Sequence, residues 1–201
     1  KALFGMAYNY LGRFASALLS FFAFTYVVRA ISVDNYGLYG IVMNIIFFIA
    51  LLLDFGIPEI VLRYVPEYLE KNNFSVLRKL LEKCVVFILS GSLAIVILSF
   101  FVRCVAFKDI RISPYLNFLP LLVIFGLFRV LSPVLGNVLN AFFFQGYRNI
   151  CEIIASLLKL ILFYLVIKLG YGVWGLVISY SLADFLMVIL YFIKLYKPLY
   201  A

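Results

Sequence analysis

The chain has 201 residues, 67% of them hydrophobic, with a mean hydropathy of +1.15 and a formal net charge of +8. Soluble domains average about half apolar, so composition argues against an ordinary water-soluble domain, and basic residues scattered among apolar runs argue against nucleic acid as a partner. There is no histidine, and Cys84, Cys104 and Cys151 lie too far apart for metal-ligand spacing, so neither a metal nor a cofactor is expected.

A helix crossing about 30 Å of hydrocarbon needs about 20 apolar residues. Six such runs fill nearly the whole chain, near 7–28, 38–58, 84–106, 116–144, 150–169 and 173–194. They are long, continuous and without period-two alternation, which predicts helices rather than a barrel. The expected fold is therefore an all-α membrane protein, a bundle of six transmembrane helices. The chain opens on Lys1 rather than Met, with no separable signal peptide, and is expected to be a piece of a longer chain. No short internal repeat is visible.

In chain order, span one carries Asn9, Arg13, Ser16 and Ser20 at i, i+4, i+7 and i+11, which places them on one helical face. A polar turn over 29–37 leads to span two, where Asn44 and Asp54 share a face roughly. A cytoplasmic loop is expected over 63–83, with Arg63, Lys71, Arg78, Lys79 and Lys83. Its second half has helical apolar spacing at Phe74, Leu77, Leu80 and Leu81, as in a segment lying on the membrane surface. Span three holds only serines away from its ends and is expected to be peripheral. After a charged gap over 108–114, span four aligns Arg129, Ser132, Pro133, Gly136 and Asn140. Pro133 removes a backbone hydrogen bond there and predicts a kink. Beyond the gap at 145–149, span five aligns Glu152, Ser156 and Lys159, and span six places Ser181 and Asp184 near its middle.

The distribution of basic residues orients the chain. With a cytoplasmic N-terminus, the inner set is Lys1, Arg63, Lys71, Arg78, Lys79, Lys83, Arg148, Lys194 and Lys197, against an outer set of Arg29, Arg103, Lys108, Arg111 and Lys168. The excess predicts both termini on the cytoplasmic side of the cell membrane. Cysteines introduced at positions 75 and 109 should then react with impermeant reagents from opposite sides. Labelling of both from outside would refute the topology.

An Arg, Lys or Asp at a helix centre costs about 2.5–3.5 kcal/mol on insertion scales, so such residues face a bundle interior or a wet cavity. Arg13, Arg129 and Lys159 predict a cationic cavity for an anionic group, with Asn9, Asn44 and Asn140 as polar contacts. Phosphate suits Arg because guanidinium presents paired donors. The alternative is structural pairing of these cations with Asp54, Glu152 and Asp184, or snorkelling of Arg13. The same three acids are candidates for ion coupling. Glu152 and Lys159 lie two turns apart on one helix, too far for an ideal direct pair.

Three stretches resemble prokaryotic polysaccharide (O-antigen-type) flippases of the multidrug/oligosaccharidyl-lipid/polysaccharide exporter superfamily. Arg29 closes span one and Tyr36-Gly37-Leu38-Tyr39 opens span two; Asp54-Phe55-Gly56-Ile57-Pro58 is followed by Leu62-Arg63-Tyr64; and Gly170-Tyr171-Gly172-Val173-Trp174-Gly175 precedes span six. The resemblance covers most of the chain and implies the first lobe of a two-lobe fold around a central cavity. It implies flipping of a polyprenyl-phosphate-linked oligosaccharide by alternating access, without ATP hydrolysis. The implied partners are that lipid-linked oligosaccharide, membrane lipids and a second lobe of the same or another chain. The family's cationic lumen corresponds by location to Arg13 and Arg129.

Two other classes stay open. A multidrug-type exporter of cations would want acidic excess in its cavity, whereas the spans carry cationic excess. A non-transporting structural subunit would resemble an isolated lobe. An enzyme is not expected, because the loops offer no Asp-x-Asp, no histidine and no glycine-rich phosphate loop.

Overall fold

The computed structural model describes residues 2–105 and 119–200, and the side chains of 10–98 and 120–198. Lys1 and the side chains of Asn9, Arg103, Cys104, Lys108 and Arg111 lie outside the described set. The described chain forms seven helices: α1 (Ala2–Ala30), α2 (Val33–Asp54), α3 (Ile57–Glu70), α4 (Phe74–Val105), α5 (Leu119–Ala141), α6 (Gln145–Leu169) and α7 (Gly172–Tyr200). All but α3 are long and apolar enough to cross a membrane. The fold class is all-α with six membrane-spanning candidates, in which the backbone groups of a span, apart from those at its ends and opposite a proline, pair within their own helix.

The turns follow from their residues. Gly170 ends α6 with φ 74, its N–H returning to the carbonyls of the last turn. A left-handed residue is the usual stop for a helix, and only glycine adopts that conformation without strain. Between α2 and α3, Phe55 (φ 42) and Gly56 (φ 73) both turn left-handed, and Pro58 sits in the first turn of α3, where its missing N–H costs nothing.

The region 63–83, predicted as a loop, is helical apart from a break at 71–73. The amphipathic α3 buries Ile57, Pro58, Val61 and Val65 on one face and packs against α4. Its charges Glu59, Arg63, Glu67 and Glu70 interrupt the apolar residues in sequence but not around the helix. The segment expected to lie on the membrane surface is instead the first turns of α4, continuous with span three, and Leu77 there is fully buried. At the corner, Lys71 Nζ donates to Glu67 Oε1 at 2.6 Å on the exposed face. That hydrogen bond, with the lysine's charge, holds the Glu67 carboxyl below its ordinary pKa and raises that of Lys71. α5 runs through Pro133 as a single helix.

The helices divide into two units, one of residues 1–43 and 135–201, the other of residues 44–134. In the first, α6 packs between α1 and α7. A Cβ on Gly12 would meet Asn149, Ser20 touches Ser156, and Tyr26 rests on Tyr164. The offset between partners is nearly constant along the pair, so α1 and α6 run parallel. Val166 against Gly175, Lys159 against Asp184 and Tyr147 against Leu190 have nearly constant sums, so α6 and α7 run antiparallel. In the second unit, α3 packs on α4, Gly91 admits Leu53, and Gly126 admits Ile49.

Close approach at Gly12 is testable. A Cβ there would lie 2.8 Å from Asn149 Cβ, whereas one on Gly37 meets nothing within 4 Å. Gly12→Val should destabilise the detergent-solubilised protein by about 1–3 kcal/mol through overpacking, and Gly37→Ala should not lower its melting temperature. Equal melting of wild type and Gly12→Val would refute the contact.

Much of the apolar surface stays outside the fold. Only 6% of the apolar window of α4 is buried, the least of the six spans. In water such surface drives association; hydrocarbon solvates it without cost.

Candidate functional site

Four polar residues climb α6 on neighbouring turns: Arg148, Glu152, Ser156 and Lys159. They span about 16 Å at the helical rise of 1.5 Å per residue. In an apolar helix such a row needs partners, and the adjoining helices of the first unit supply them.

At the lower end, Arg148 Nε donates to Glu152 Oε1 at 2.8 Å, with both side chains 20% exposed. Gly136 of α5 lets the chain pass this guanidinium closely, since a Cβ there would sit 3.3 Å from Arg148 Nε and 3.6 Å from the ring of Tyr191. Tyr191 is almost completely buried. The neighbouring Tyr147 hydroxyl donates to the Leu190 carbonyl at 3.0 Å, and the Lys194 ammonium lies over the rings of Phe144 and Tyr147. Midway, Ser156 Oγ donates to the Glu152 carbonyl and lies 3.3 Å from Ser20 Oγ on α1. At the upper end, Lys159 Nζ donates to Asp184 Oδ1 at 3.1 Å and sits 3.9 Å from the centroid of the Tyr180 ring. The Lys159 and Asp184 side chains are 15% and 4% exposed.

The row is thus two ion pairs joined by hydroxyls, with its charges balanced. Lys159 is drawn into a buried pair with Asp184 rather than standing open as a cation, and Glu152 is held by Arg148. Arg148, expected from sequence among the loop bases, lies in the first turns of α6, and Tyr180 and Tyr191 join the row without having been expected there. The i, i+4 spacing of Arg148 to Glu152 was the available signal. The tyrosines left no signal, because their roles depend on which helix packs against α6.

Arg13 differs. It stands on α1 about 100° around the helix from Gly12, beside the face that packs on α6, and it is exposed. Its guanidinium makes no ion pair among the described residues. Ser16 on the next turn donates to the Arg13 carbonyl at 3.0 Å. Asn140, also in the first unit, is half-buried.

The remaining candidates lie in the second unit. Arg129 is half-buried with its guanidinium 5.1 Å from the centroid of Phe47. Asn44 is exposed. Asp54 ends α2, and its Oδ1 is buried with no hydrogen-bond partner among the described residues. Among the described residues, no three His, Cys, Asp or Glu side chains gather as they would to hold a metal ion.

A family model described as "polysaccharide biosynthesis protein" matches residues 2–200. No curated protein and no solved structure matches the chain.

Proposed function

This chain belongs to the polysaccharide biosynthesis protein family, and from that premise we propose that it flips a polyprenyl-phosphate-linked oligosaccharide across the cytoplasmic membrane. Family membership ties it to polysaccharide synthesis or export, and its six apolar helices make it a multi-pass membrane protein. The observation that carries the finer reading is Arg13. Eleven residues into α1, its Cα lies about 16 Å along the helix axis from that of the first residue, within an apolar helix, and its guanidinium has no acidic partner among the described residues. A cation so placed is expensive unless it meets water or an anion. A lipid phosphate matches its paired donors.

In this reading no bond is made or broken, so the chain is a transporter and not an enzyme. It works by alternating access with a second six-helix lobe, of the same or another chain, and both ends of the segment lie in the cytoplasm. The test is depletion of the full-length protein in a strain that makes surface polysaccharide. Lipid-linked oligosaccharide should accumulate in the inner leaflet, protected from glycosidase added to spheroplasts, and become accessible when the protein is restored. A strain that stops making the lipid-linked intermediate would instead place the protein at a biosynthetic step and refute flipping.

A further inference from the structure

We propose that the groove between the C-terminal ends of α1 and α6 binds the headgroup of an anionic phospholipid. The groove is lined by Phe22, Thr25, Tyr26, Arg29, Leu160 and Tyr164, with a volume of about 370 Å³. Because α1 and α6 run parallel, their last turns bring two cations to the same end: Arg29 on the lining, and Lys168, whose ammonium lies 5.9 Å from the centroid of the Tyr164 ring. Both are exposed, and neither makes an ion pair among the described residues. The tilted ring pair Tyr26–Tyr164, 5.9 Å apart, forms the wall between them.

The chemistry is graded along the groove. The cationic end lies at the helix termini, where an interfacial phosphate would sit, and the Tyr rings stand at the level where aromatic residues border the headgroups. Farther into the span, Phe22 and Leu160 offer an apolar trough for the first carbons of an acyl chain. The groove has room for a phosphodiester headgroup, and its mostly apolar lining offers few partners to sugar hydroxyls, which favours an ordinary phospholipid over the transported lipid. Thr25 donates its hydroxyl to the Phe21 carbonyl at 2.8 Å and adds no negative charge to the groove.

The competing account is that Arg29 and Lys168 only complement the negative ends of their helix dipoles. That account predicts an effect on stability and none on lipid preference. Native mass spectrometry of the full-length protein, titrated with phosphatidylglycerol or phosphatidylcholine, separates the two. Wild type should retain phosphatidylglycerol preferentially. At roughly 1 kcal/mol per basic residue near an anionic surface, Arg29→Gln and Lys168→Gln should each weaken that retention about fivefold and together about thirtyfold, with phosphatidylcholine unaffected. Arg29→Lys, which keeps the charge, should stay close to wild type. Unchanged phosphatidylglycerol retention in the folded double variant would overturn the proposal, as would equal retention of the two lipids by wild type. Preferential retention of polyprenyl phosphate through the same two residues would overturn the choice of a phospholipid.

Discussion

Asp184→Ala should destabilise the protein by about 3–5 kcal/mol, the usual cost of removing one partner from a buried ion pair. The reason lies in what stays behind. Lys159 would keep its charge in a site where its side chain is only 15% exposed, with the Tyr180 ring, 3.9 Å away, as its remaining partner. A cation–π contact is worth about 0.5–2 kcal/mol and does not replace a carboxylate. Lys159→Ala should also destabilise the protein, because it removes the ammonium 3.1 Å from a carboxylate that is 4% exposed. The double variant Lys159→Met/Asp184→Leu removes both charges while keeping most of the volume, and should recover most of the loss. A double-mutant cycle from thermal or denaturant unfolding in detergent would report the coupling. Single variants within about 0.5 kcal/mol of wild type would show that water reaches the pair and that it does not tie α6 to α7.

Arg13→Ala should reduce surface polysaccharide by at least about tenfold in cells that depend on the full-length protein, with membrane levels unchanged. A charge-assisted phosphate contact in a site of low dielectric is worth on the order of 1.5–3 kcal/mol, which is about tenfold or more in a rate it controls. Arg13→Lys should restore part of the activity, since the charge returns without the paired donors. Because Arg13 is exposed and makes no ion pair among the described residues, its loss should leave the melting temperature nearly unchanged, unlike Asp184→Ala. Arg129→Ala is a separate test in the second unit; loss of export there, with partial rescue by Arg129→Lys, would give that cation a role of its own. Wild-type export by Arg13→Ala at normal protein levels would remove the observation on which the flipping proposal rests.

The spans were legible because a lipid-solvated helix must announce itself. Its length is set by bilayer thickness and its composition by the cost of burying polar groups, so six apolar runs map onto α1, α2, α4, α5, α6 and α7 with only their edges displaced. The edges moved where charges sit on one side of a helix. Arg63, Glu67 and Glu70 read as a loop in sequence, yet Ile57, Val61 and Val65 recur every fourth residue and bury a face of α3. The turn at 170–172 was visible from its glycines, and Gly170 does take the left-handed conformation that ends α6.

The site was legible only as an inventory. Spacing could place Glu152, Ser156 and Lys159 on one face of a helix, because helical periodicity is local and fixed by the backbone. It could not say that Lys159 meets Asp184, that Glu152 meets Arg148, or that Ser20 meets Ser156, because those contacts depend on α6 running parallel to α1 and antiparallel to α7 in a particular register. The sequence by itself determined the solvent of this protein, the number of its apolar helices and which intramembrane residues are polar. Tertiary packing alone decided which charges are neutralised and which, like Arg13, stand apart among the described residues, since pairing is a matter of a few ångströms between helices distant in the chain.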